Sequence, residues 1–253
     1  MTQLAVLLGQ DIGYSASPAI HNAAFEALDM DVRFELRDVG PSDLWGEVDA
    51  LRAGDRIGAN VTKPHKIAVC EMVDELGPEV SRLGAANTIV RVGYRLVARN
   101  TDLPAIAAEL PPRVDRAVIL GSGGAARAAV AALRAGGCRQ ILVLDRAHLA
   151  NLPGALSTAD LVVNATPIGT TSDETPIGAH LLRPDLKVLD LVYRPSPTRL
   201  VREARAVGAQ ARSGAGMLLR QAAASFTLWT GREAPIEAMH RALDLELRQP
   251  VGV

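Results

Sequence analysis

Three small residues, Gly121, Gly123 and Ala126, form a G-x-G-x-x-A pattern directly after an apolar run and at the start of an Ala-rich one. In this setting the first glycine permits a tight turn, the second lets the backbone approach a pyrophosphate, and the third residue lets helix and strand pack closely. Unpaired N–H groups at a helix N-terminus also attract an anion. The pattern predicts a dinucleotide-binding loop, completed by Gly124 and Ala125.

A carboxylate follows this loop by about twenty residues, where the next apolar run, ILVL, ends in Asp145. An acidic residue at this place accepts hydrogen bonds from an adenosine ribose. A 2′-phosphate would meet its negative charge, and Arg146 is the nearby cation that could compensate for it. The sequence therefore predicts NAD as the favoured cofactor and leaves NADP open.

Short β-rich apolar runs alternate with helical stretches along the chain. This alternation predicts an α/β fold with mainly parallel sheets, because parallel strands are joined by crossovers that are usually helical. The segment 17–30 predicts a helix with Ser17 as its N-cap and Pro18 at its first position. The β-branched runs flanking Val92 and Gly93 predict a hairpin. The predicted strands are 4–9, 32–39, 57–62, 117–121, 141–145 and 161–166.

With 253 residues, 48% of them hydrophobic, the chain can form the cores of two small domains. A net charge of −1 favours neither nucleic acid nor an anionic membrane as a partner. The first residues lack the pattern of a signal peptide, and no apolar run reaches the roughly 18 residues of a membrane span. Cys70, Cys138 and the scattered histidines match no metal-ligand spacing. These features predict a soluble, cytoplasmic protein that needs no metal.

Further motifs occur along nearly the whole chain: GQDIGYSASPAIHN (9–22), GANVTKPHK (58–66), ANT (86–88), NTD (100–102), NATPIG (164–169), DLVYRPSPT (190–198) and GMLLRQAAASFTLWTG (216–231). In their order and spacing they resemble the motifs of the shikimate dehydrogenase family. The resemblance implies an N-terminal α/β substrate domain plus a Rossmann-like, doubly wound dinucleotide-binding domain. The first would comprise 1–102 and the C-terminal helices of 214–253, and the second 103–213.

The same resemblance implies a role for each site residue. Lys66 is the acid/base or oxygen-stabilising group, and Asp102 orients it and accepts a hydrogen bond from the substrate. The other implied substrate-binding residues are Ser15 and Ser17 at the carboxylate, Thr62 at a hydroxyl, Asn87, Tyr193 and Gln221. The resemblance also implies that Thr166 and Gly214 bind the cofactor. Proton transfer is needed because hydride transfer from a secondary alcohol requires loss of its hydroxyl proton, and the reverse reaction requires its return.

The implied activity is that of an oxidoreductase which interconverts shikimate, or a close ring hydroxy acid, and its 3-dehydro ketone with NAD or NADP. The expected pathway is aromatic amino acid biosynthesis, with a catabolic or secondary pathway left open. Tyr14, His65 and Leu103 depart from the family motifs, and residues beside a polyol ring set discrimination, so quinate and aminoshikimate stay open as substrates. Thr170 replaces a common Met. The missing Asn-Arg-Thr sequence after Asp145 favours NAD.

Two other hypotheses compete with this activity. A non-catalytic sensor of the ring acid or the dinucleotide would keep binding residues without turnover, but Lys66 and Asp102 are both retained. An oxidoreductase for a folate or an imine would explain the glycine pattern and leave the N-terminal motifs unexplained. The expected partner is a small-molecule substrate, and the expected assembly is a monomer or homodimer, with domains that close about hinges near Asp102 and Gly214.

Overall fold

The computed structural model describes residues 2–249. Its strands are β1 (Gln3–Gly9), β2 (Val32–Asp38), β3 (Arg56–Val61), β4 (Glu75–Leu76), β5 (Thr88–Val92), β6 (Arg95–Arg99), β7 (Arg116–Leu120), β8 (Gln140–Leu144), β9 (Leu161–Asn164), β10 (Lys187–Asp190) and β11 (Ala211–Arg212). Its helices are α1 (Ser17–Ala27), α2 (Leu44–Asp49), α3 (Pro78–Leu83), α4 (Asp102–Glu109), α5 (Gly124–Ala135), α6 (Leu152–Leu156), α7 (Arg199–Ala206), α8 (Ala215–Thr230) and α9 (Ile236–Arg248). Short 3-10 segments lie at Ala50–Ala53, Ala68–Glu71, Arg146–Asn151 and Ala179–Leu181.

The first compact unit comprises the chain up to Asp102 together with Leu219–Gln249. Its sheet has the strand order β2-β1-β3-β5-β6-β4, with β1 parallel to both of its neighbours. The predicted hairpin is present as β5 and β6, and Gly93 in its turn has a φ of +63°, which glycine adopts readily. Val6 of β1 and Ala59 of β3 are fully buried, as expected for strands in the interior of a sheet.

The second compact unit comprises Leu103–Leu218. Its five strands are all parallel, in the order β11-β10-β9-β7-β8. Successive residues of β7 face opposite sides of the sheet: Ile119 packs into a core with α5, and Val118 into a core with α6 and α7. Apolar cores on both faces define a doubly wound, Rossmann-like sheet, which confirms the predicted fold class.

The predicted first helix is present, but its N-terminus differs from the prediction. Ala16 occupies the N-cap position, and Ser17 is already helical. Ser17 therefore caps nothing; its own N–H donates to the Oγ of Ser15 at 3.3 Å. The chain returns from the second unit to the first after Leu218, inside α8, rather than at the predicted position 214. Residues 250–253 of the predicted C-terminal segment lie outside the described residues.

Within residues 2–249, no helix combines the length and the apolar content needed to cross a bilayer.

The first unit buries a histidine among its aromatic side chains. The His21 ring stacks on Phe34, with centroids 4.4 Å apart and planes 9° apart, and lies 5.2 Å from the Trp229 ring centroid. Among the described residues, neither ring nitrogen has a hydrogen-bond partner. Burial lowers the pKa of His21 to about 3, and the nearby Asn60 amide, which does not reach hydrogen-bond geometry, opposes this only in part.

Acid is therefore expected to destabilise the fold through His21. Below the ordinary pKa of 6.5 the unfolded chain binds a proton that folded His21 rejects down to about 3, so the free energy of unfolding falls as the pH decreases through this window. Between about pH 7 and about pH 4.5 the loss is about 2 to 3 kcal/mol. His21→Phe keeps a stacked ring and cannot titrate. Urea unfolding at the two pH values should therefore show that its free energy of unfolding falls by that amount less than the parent's. Equal losses in the two proteins would contradict this assignment.

Candidate active site

A lysine and an aspartate form a largely buried ion pair in the first unit. Lys66 lies in the turn after β3, and Asp102 is the first residue of α4. The Lys66 Nζ is 2.6 Å from the Asp102 Oδ2, and the two side chains are 16% and 3% exposed. Charge-assisted hydrogen bonds of this length are strong and directional. The aspartate is therefore held in the protein interior while the lysine keeps some access from outside.

Asn87 holds the other oxygen of the same carboxylate. Its Nδ2 donates to the Asp102 Oδ1 at 2.8 Å and lies 3.4 Å from the Gln221 Oε1 of α8. Its Oδ1 accepts from the Thr101 N–H at 2.7 Å. The structure thus brings together four of the predicted site residues, Lys66, Asp102, Asn87 and Gln221, in one hydrogen-bonded group.

Buried polar side chains that were not among the predicted site residues hold Asn87 in place. Asn60 Nδ2 donates to the Asn87 carbonyl oxygen at 3.1 Å and to the Ser225 Oγ at 2.9 Å. Thr88 Oγ1 donates to the Asn87 Oδ1 at 3.1 Å and lies 2.9 Å from the Ser225 Oγ. Ser225 follows Gln221 by one helical turn, so the spacing of the two polar residues in an Ala-rich helix was a signal that could have found it.

The residues predicted to bind the substrate carboxylate and one of its hydroxyls lie near the ends of β1 and β3. Ser15 lies in the turn that leads from β1 into α1, Ser17 is the first residue of α1, and Thr62 directly follows β3. The two turns are tied together, since Gln10 N–H donates to the Lys63 carbonyl at 3.0 Å. Adjacent parallel strands place such turns at the same edge of the sheet, the usual location of ligands. No hydrogen bond within residues 2–249 joins Ser15, Ser17 or Thr62 to Lys66 or Asp102.

The residues that depart from the family motifs have defined environments. The Lys63 Nζ lies 5.3 Å from the centroid of the Tyr14 ring, within the range of a cation–π contact. His65 is buried, and its Nε2 lies 2.7 Å from the Val39 carbonyl oxygen. Leu103 packs against the apolar core of the second unit, and Thr170 N–H closes a turn on the Pro167 carbonyl at 3.0 Å. His65 and Leu103 therefore have packing roles.

The glycine loop of the second unit fits a pyrophosphate. Gly121 has a φ of +107°, and a Cβ there would lie 2.9 Å from the Ala165 carbonyl oxygen. Gly123 is the N-cap of α5, and a Cβ there would meet nothing within 4 Å. Gly124 and Ala125 begin the helix, and Ala126 is buried beneath them. The first glycine is thus required by the backbone itself, whereas the second leaves open space beside the helix N-terminus, where an anion is favoured.

Asp145 occupies the predicted position at the end of β8, but its carboxylate is engaged locally. Its Oδ1 accepts from the Ala147 N–H at 3.0 Å and lies 2.6 Å from the His148 Nδ1. The hydrogen bond with His148 lowers the pKa of Asp145. None of the hydrogen bonds found within residues 2–249 uses its Oδ2. Arg146 is exposed at the start of the following 3-10 segment.

A buried carboxylate fixes the loop that carries Thr166. Thr166 donates from both N–H and Oγ1 to the Asn164 Oδ1, at 3.0 and 2.7 Å. Asn164 Nδ2 in turn donates to the Asp190 Oδ1 at 2.9 Å, and Thr198 Oγ1 donates to the Asp190 Oδ2 at 2.6 Å. Burial raises the pKa of Asp190. Asp190 was not among the predicted site residues, because only the pairing of β9 with β10 brings it to Asn164.

Two further predicted residues belong to the second unit. Tyr193 is half-buried in the segment between β10 and α7. Gly214 precedes α8 and donates its N–H to the Val192 carbonyl at 3.1 Å. A Cβ at Gly214 would collide with the Leu191 backbone, so the close approach of two chain segments requires glycine there.

Two family models match the chain. The model of the shikimate dehydrogenase substrate binding domain matches residues 7–89, and that of the shikimate 5′-dehydrogenase C-terminal domain matches 214–243. The shikimate dehydrogenase (NADP(+)) of Moorella thermoacetica is 40% identical over 96% of this chain and 92% of its own. That of Methanopyrus kandleri is 39% identical over 98% and 97%.

Solved structures show the same similarity. The shikimate 5-dehydrogenase of Thermus thermophilus, in complex with NADP(H) and shikimate, is 35% identical, with a TM-score of 0.86 over 97% of this chain and 100% of that one. The quinate dehydrogenase of Corynebacterium glutamicum, in complex with NAD, is 26% identical, with a TM-score of 0.82 over 96% and 99%.

Proposed function

The chain belongs to the shikimate dehydrogenase family, and we propose that it interconverts shikimate and its 3-dehydro ketone by hydride transfer with a nicotinamide dinucleotide. The observation that carries this proposal is the hydrogen-bonded group of Lys66, Asp102, Asn87 and Gln221. These side chains offer both donors and acceptors, which a polyhydroxylated ring requires. A non-catalytic sensor of the same ligand would not require a lysine–aspartate pair for proton transfer.

A nicotinamide dinucleotide held by the loop of residues 121–126 would supply the hydride acceptor for the alcohol carbon and the hydride donor for the ketone. The protein supplies the proton chemistry. In this proposal Lys66, as a neutral amine, takes the hydroxyl proton during oxidation and becomes an ammonium, and as an ammonium it returns the proton to the oxygen during reduction. Asp102 fixes the direction of the Lys66 ammonium through its Oδ2, and Asn87 fixes Asp102 through its Oδ1. The side chains of Ser15, Ser17 and Thr62 hold the ring through its carboxylate and a hydroxyl.

The proposed activity is tested by following reduced nicotinamide absorbance. Purified protein is offered shikimate and quinate, each with NAD and with NADP. We expect the fastest turnover with shikimate. Turnover of quinate alone would move the substrate assignment to quinate, whereas no turnover in any of the four reactions, together with intact dinucleotide binding measured by titration, would contradict the proposed reaction and favour a sensor.

We further propose that this chain prefers NAD over NADP through Asp145. The low pKa of Asp145 keeps its carboxylate charged, and a 2′-phosphate beside it would be repelled. The relatives from Moorella thermoacetica and Methanopyrus kandleri are named for NADP(+), so we expect this chain to differ from those two in cofactor choice. The proposal rests on the position of Asp145 at the end of β8 and on the absence of an Asn-Arg-Thr sequence after it.

Asp145→Asn is expected to raise the ratio of kcat/KM with NADP to kcat/KM with NAD by about tenfold or more, since it removes one repulsive charge. The amide oxygen can still accept from the Ala147 N–H, so the 3-10 segment should stay folded. His148→Gln is the matched control, because it changes the partner of Asp145 and keeps the carboxylate. An unchanged ratio in Asp145→Asn would show that another residue selects the cofactor.

A further inference from the structure

The strand order of the second unit determines where each half of a dinucleotide lies when it binds as proposed above. The pyrophosphate loop of residues 121–126 follows β7, and Asp145, proposed to lie at the adenosine ribose, follows β8 on one side of it. Strands β9 and β10 lie on the other side of β7. Dinucleotides bind across the carboxyl ends of such parallel strands. The nicotinamide half therefore falls at the ends of β9 and β10.

One buried carboxylate joins three chain segments at these strand ends. Asp190, the last residue of β10, is 1% exposed. Its Oδ1 accepts from the Asn164 Nδ2 at 2.9 Å and from the Val192 N–H at 3.1 Å, and its Oδ2 accepts from the Thr198 Oγ1 at 2.6 Å. These donors belong to the end of β9, to the segment after β10 and to the N-cap of α7. Asp190 thus holds the three segments in fixed positions relative to one another.

Two of the three segments carry predicted site residues. Asn164 Oδ1 accepts from both the N–H and the hydroxyl of Thr166, so a single amide connects Asp190 to Thr166. Val192, whose N–H donates to the same carboxylate, directly precedes Tyr193. One side chain therefore connects a residue predicted at the cofactor with a residue predicted at the substrate.

On the basis of the proposed function, we infer that Asp190 is a positioning residue for hydride transfer, which holds the loop of Thr166 against the segment of Tyr193. Being buried, it acts through the Asn164 amide and the Val192 backbone. A displacement of about 1 Å between reacting groups can lower a rate about 100-fold, so small shifts of these segments affect turnover strongly.

The groups around Asp190 require a carboxylate. All three donate, and an ionised carboxylate accepts on both oxygens. Asparagine has the same shape, but its NH₂ group would face either the Asn164 amide and the Val192 N–H, or the Thr198 hydroxyl. In the second orientation the Thr198 proton loses its acceptor. Either orientation leaves a buried donor unsatisfied, so Asp190→Asn should displace at least one of the three segments.

Asp190→Asn is tested by titration with two ligands. The first is the reduced dinucleotide that the parent prefers, and the second is the matching ADP-ribose, which lacks only the nicotinamide. We expect Asp190→Asn to weaken binding of the reduced dinucleotide at least about tenfold and that of ADP-ribose no more than about threefold. We also expect kcat with shikimate to fall at least about tenfold. A role in stability alone would not change the ratio of the two affinities.

Asp160→Asn is the matched control. Asp160 precedes β9 at the opposite end of the sheet, and its Oδ2 accepts from the N–H groups of Asp115 and Arg116 at 3.0 and 2.7 Å. It is thus the same substitution at another carboxylate that joins segments of the second unit. We expect it to keep the parent ratio of the two affinities. Thermal unfolding of each variant measures the change in stability separately.

Thr198 provides a second test that leaves Asp190 in place. Thr198→Val removes the donor to Oδ2 and should show the same selective loss, whereas Thr198→Ser keeps the hydroxyl and should restore the parent ratio. This pair decides the question if Asp190→Asn does not fold.

Three results would overturn the role of Asp190 in a parent that turns over shikimate. They are equal losses for the two ligands in Asp190→Asn, the same selective loss in Asp160→Asn, or a Thr198→Ser protein that behaves as Thr198→Val. A parent that binds no dinucleotide would overturn the proposed function itself, and the role of Asp190 with it.

Discussion

Lys66→Ala is expected to lower kcat by roughly 10²- to 10⁴-fold, the usual contribution of a positioned acid/base group. Its ammonium is the cation closest to Asp102 and keeps access from outside, so no other described lysine can take over its proton transfer. The dinucleotide loop is built from residues 121–126 and should be unaffected. Steady-state kinetics give kcat, and titration of the reduced dinucleotide gives its affinity, which we expect within a few-fold of the parent value.

Lys63→Ala is the matched control for this variant. Lys63 lies in the same turn but is exposed, with its Nζ over the Tyr14 ring. We expect its kcat to stay within a few-fold of the parent. Retention of parent-like kcat in Lys66→Ala would contradict the acid/base assignment, as would an equal loss in both variants.

Removal of Lys66 also leaves the carboxylate of Asp102 buried without its ion partner, which costs stability. The loss of stability and the loss of kcat can be separated with the double variant Lys66→Ala/Asp102→Asn, because it has no buried charge at this position. If the pair acts as a unit, the kinetic losses of the two single variants will not add in the double variant. Additive losses would mean that Asp102 serves the substrate independently of Lys66.

The strands were predictable because their signal is local. Apolar runs such as those of β1 and β7 are continuous in sequence, and a central parallel strand buried on both faces requires this pattern. The hairpin at Gly93 was likewise marked by β-branched residues on both sides of a glycine. The N-terminus of α1 was predicted less well. Ser15, Ala16 and Ser17 all lie just before Pro18, and only the backbone angles show which of them is the N-cap.

The site residues that lie in a family motif could be predicted from the sequence. Contacts that depend on which strands are neighbours in the sheet could not. Lys66 and Asp102 are far apart in sequence, and the order of β3, β5 and β6 in the sheet brings their turns together. No local pattern contains that order. Asn60 and Asp190 were missed for the same reason, since each forms a hydrogen bond with a residue of a neighbouring strand, Thr88 of β5 and Asn164 of β9. The exposed edge of β8 is also a property of strand order, because its apolar run resembles that of a central strand.

Gly123→Ala is expected to weaken dinucleotide binding by at least about tenfold while leaving the free energy of unfolding within about 0.5 kcal/mol of the parent. The added methyl group meets nothing in the protein, and the backbone at Gly123 is extended, with φ −77° and ψ −172°. The methyl would instead occupy the space into which a pyrophosphate must approach the N-terminus of α5. Dinucleotide titration and urea unfolding measure the two quantities separately.

For Gly121→Ala we expect the main effect on the stability of the fold. Its φ of +107° strains any side chain, and its Cβ would press on the Ala165 carbonyl, so we expect a loss of about 1 to 3 kcal/mol in the free energy of unfolding. Gly154→Ala in α6, where a Cβ also meets nothing, is the neutral control for both measurements. If Gly123→Ala bound dinucleotide as tightly as Gly154→Ala, the loop would not be the pyrophosphate site. If Gly123→Ala alone lost dinucleotide affinity, Gly123 would be assigned to ligand binding. A loss of stability confined to Gly121→Ala would assign Gly121 to the fold.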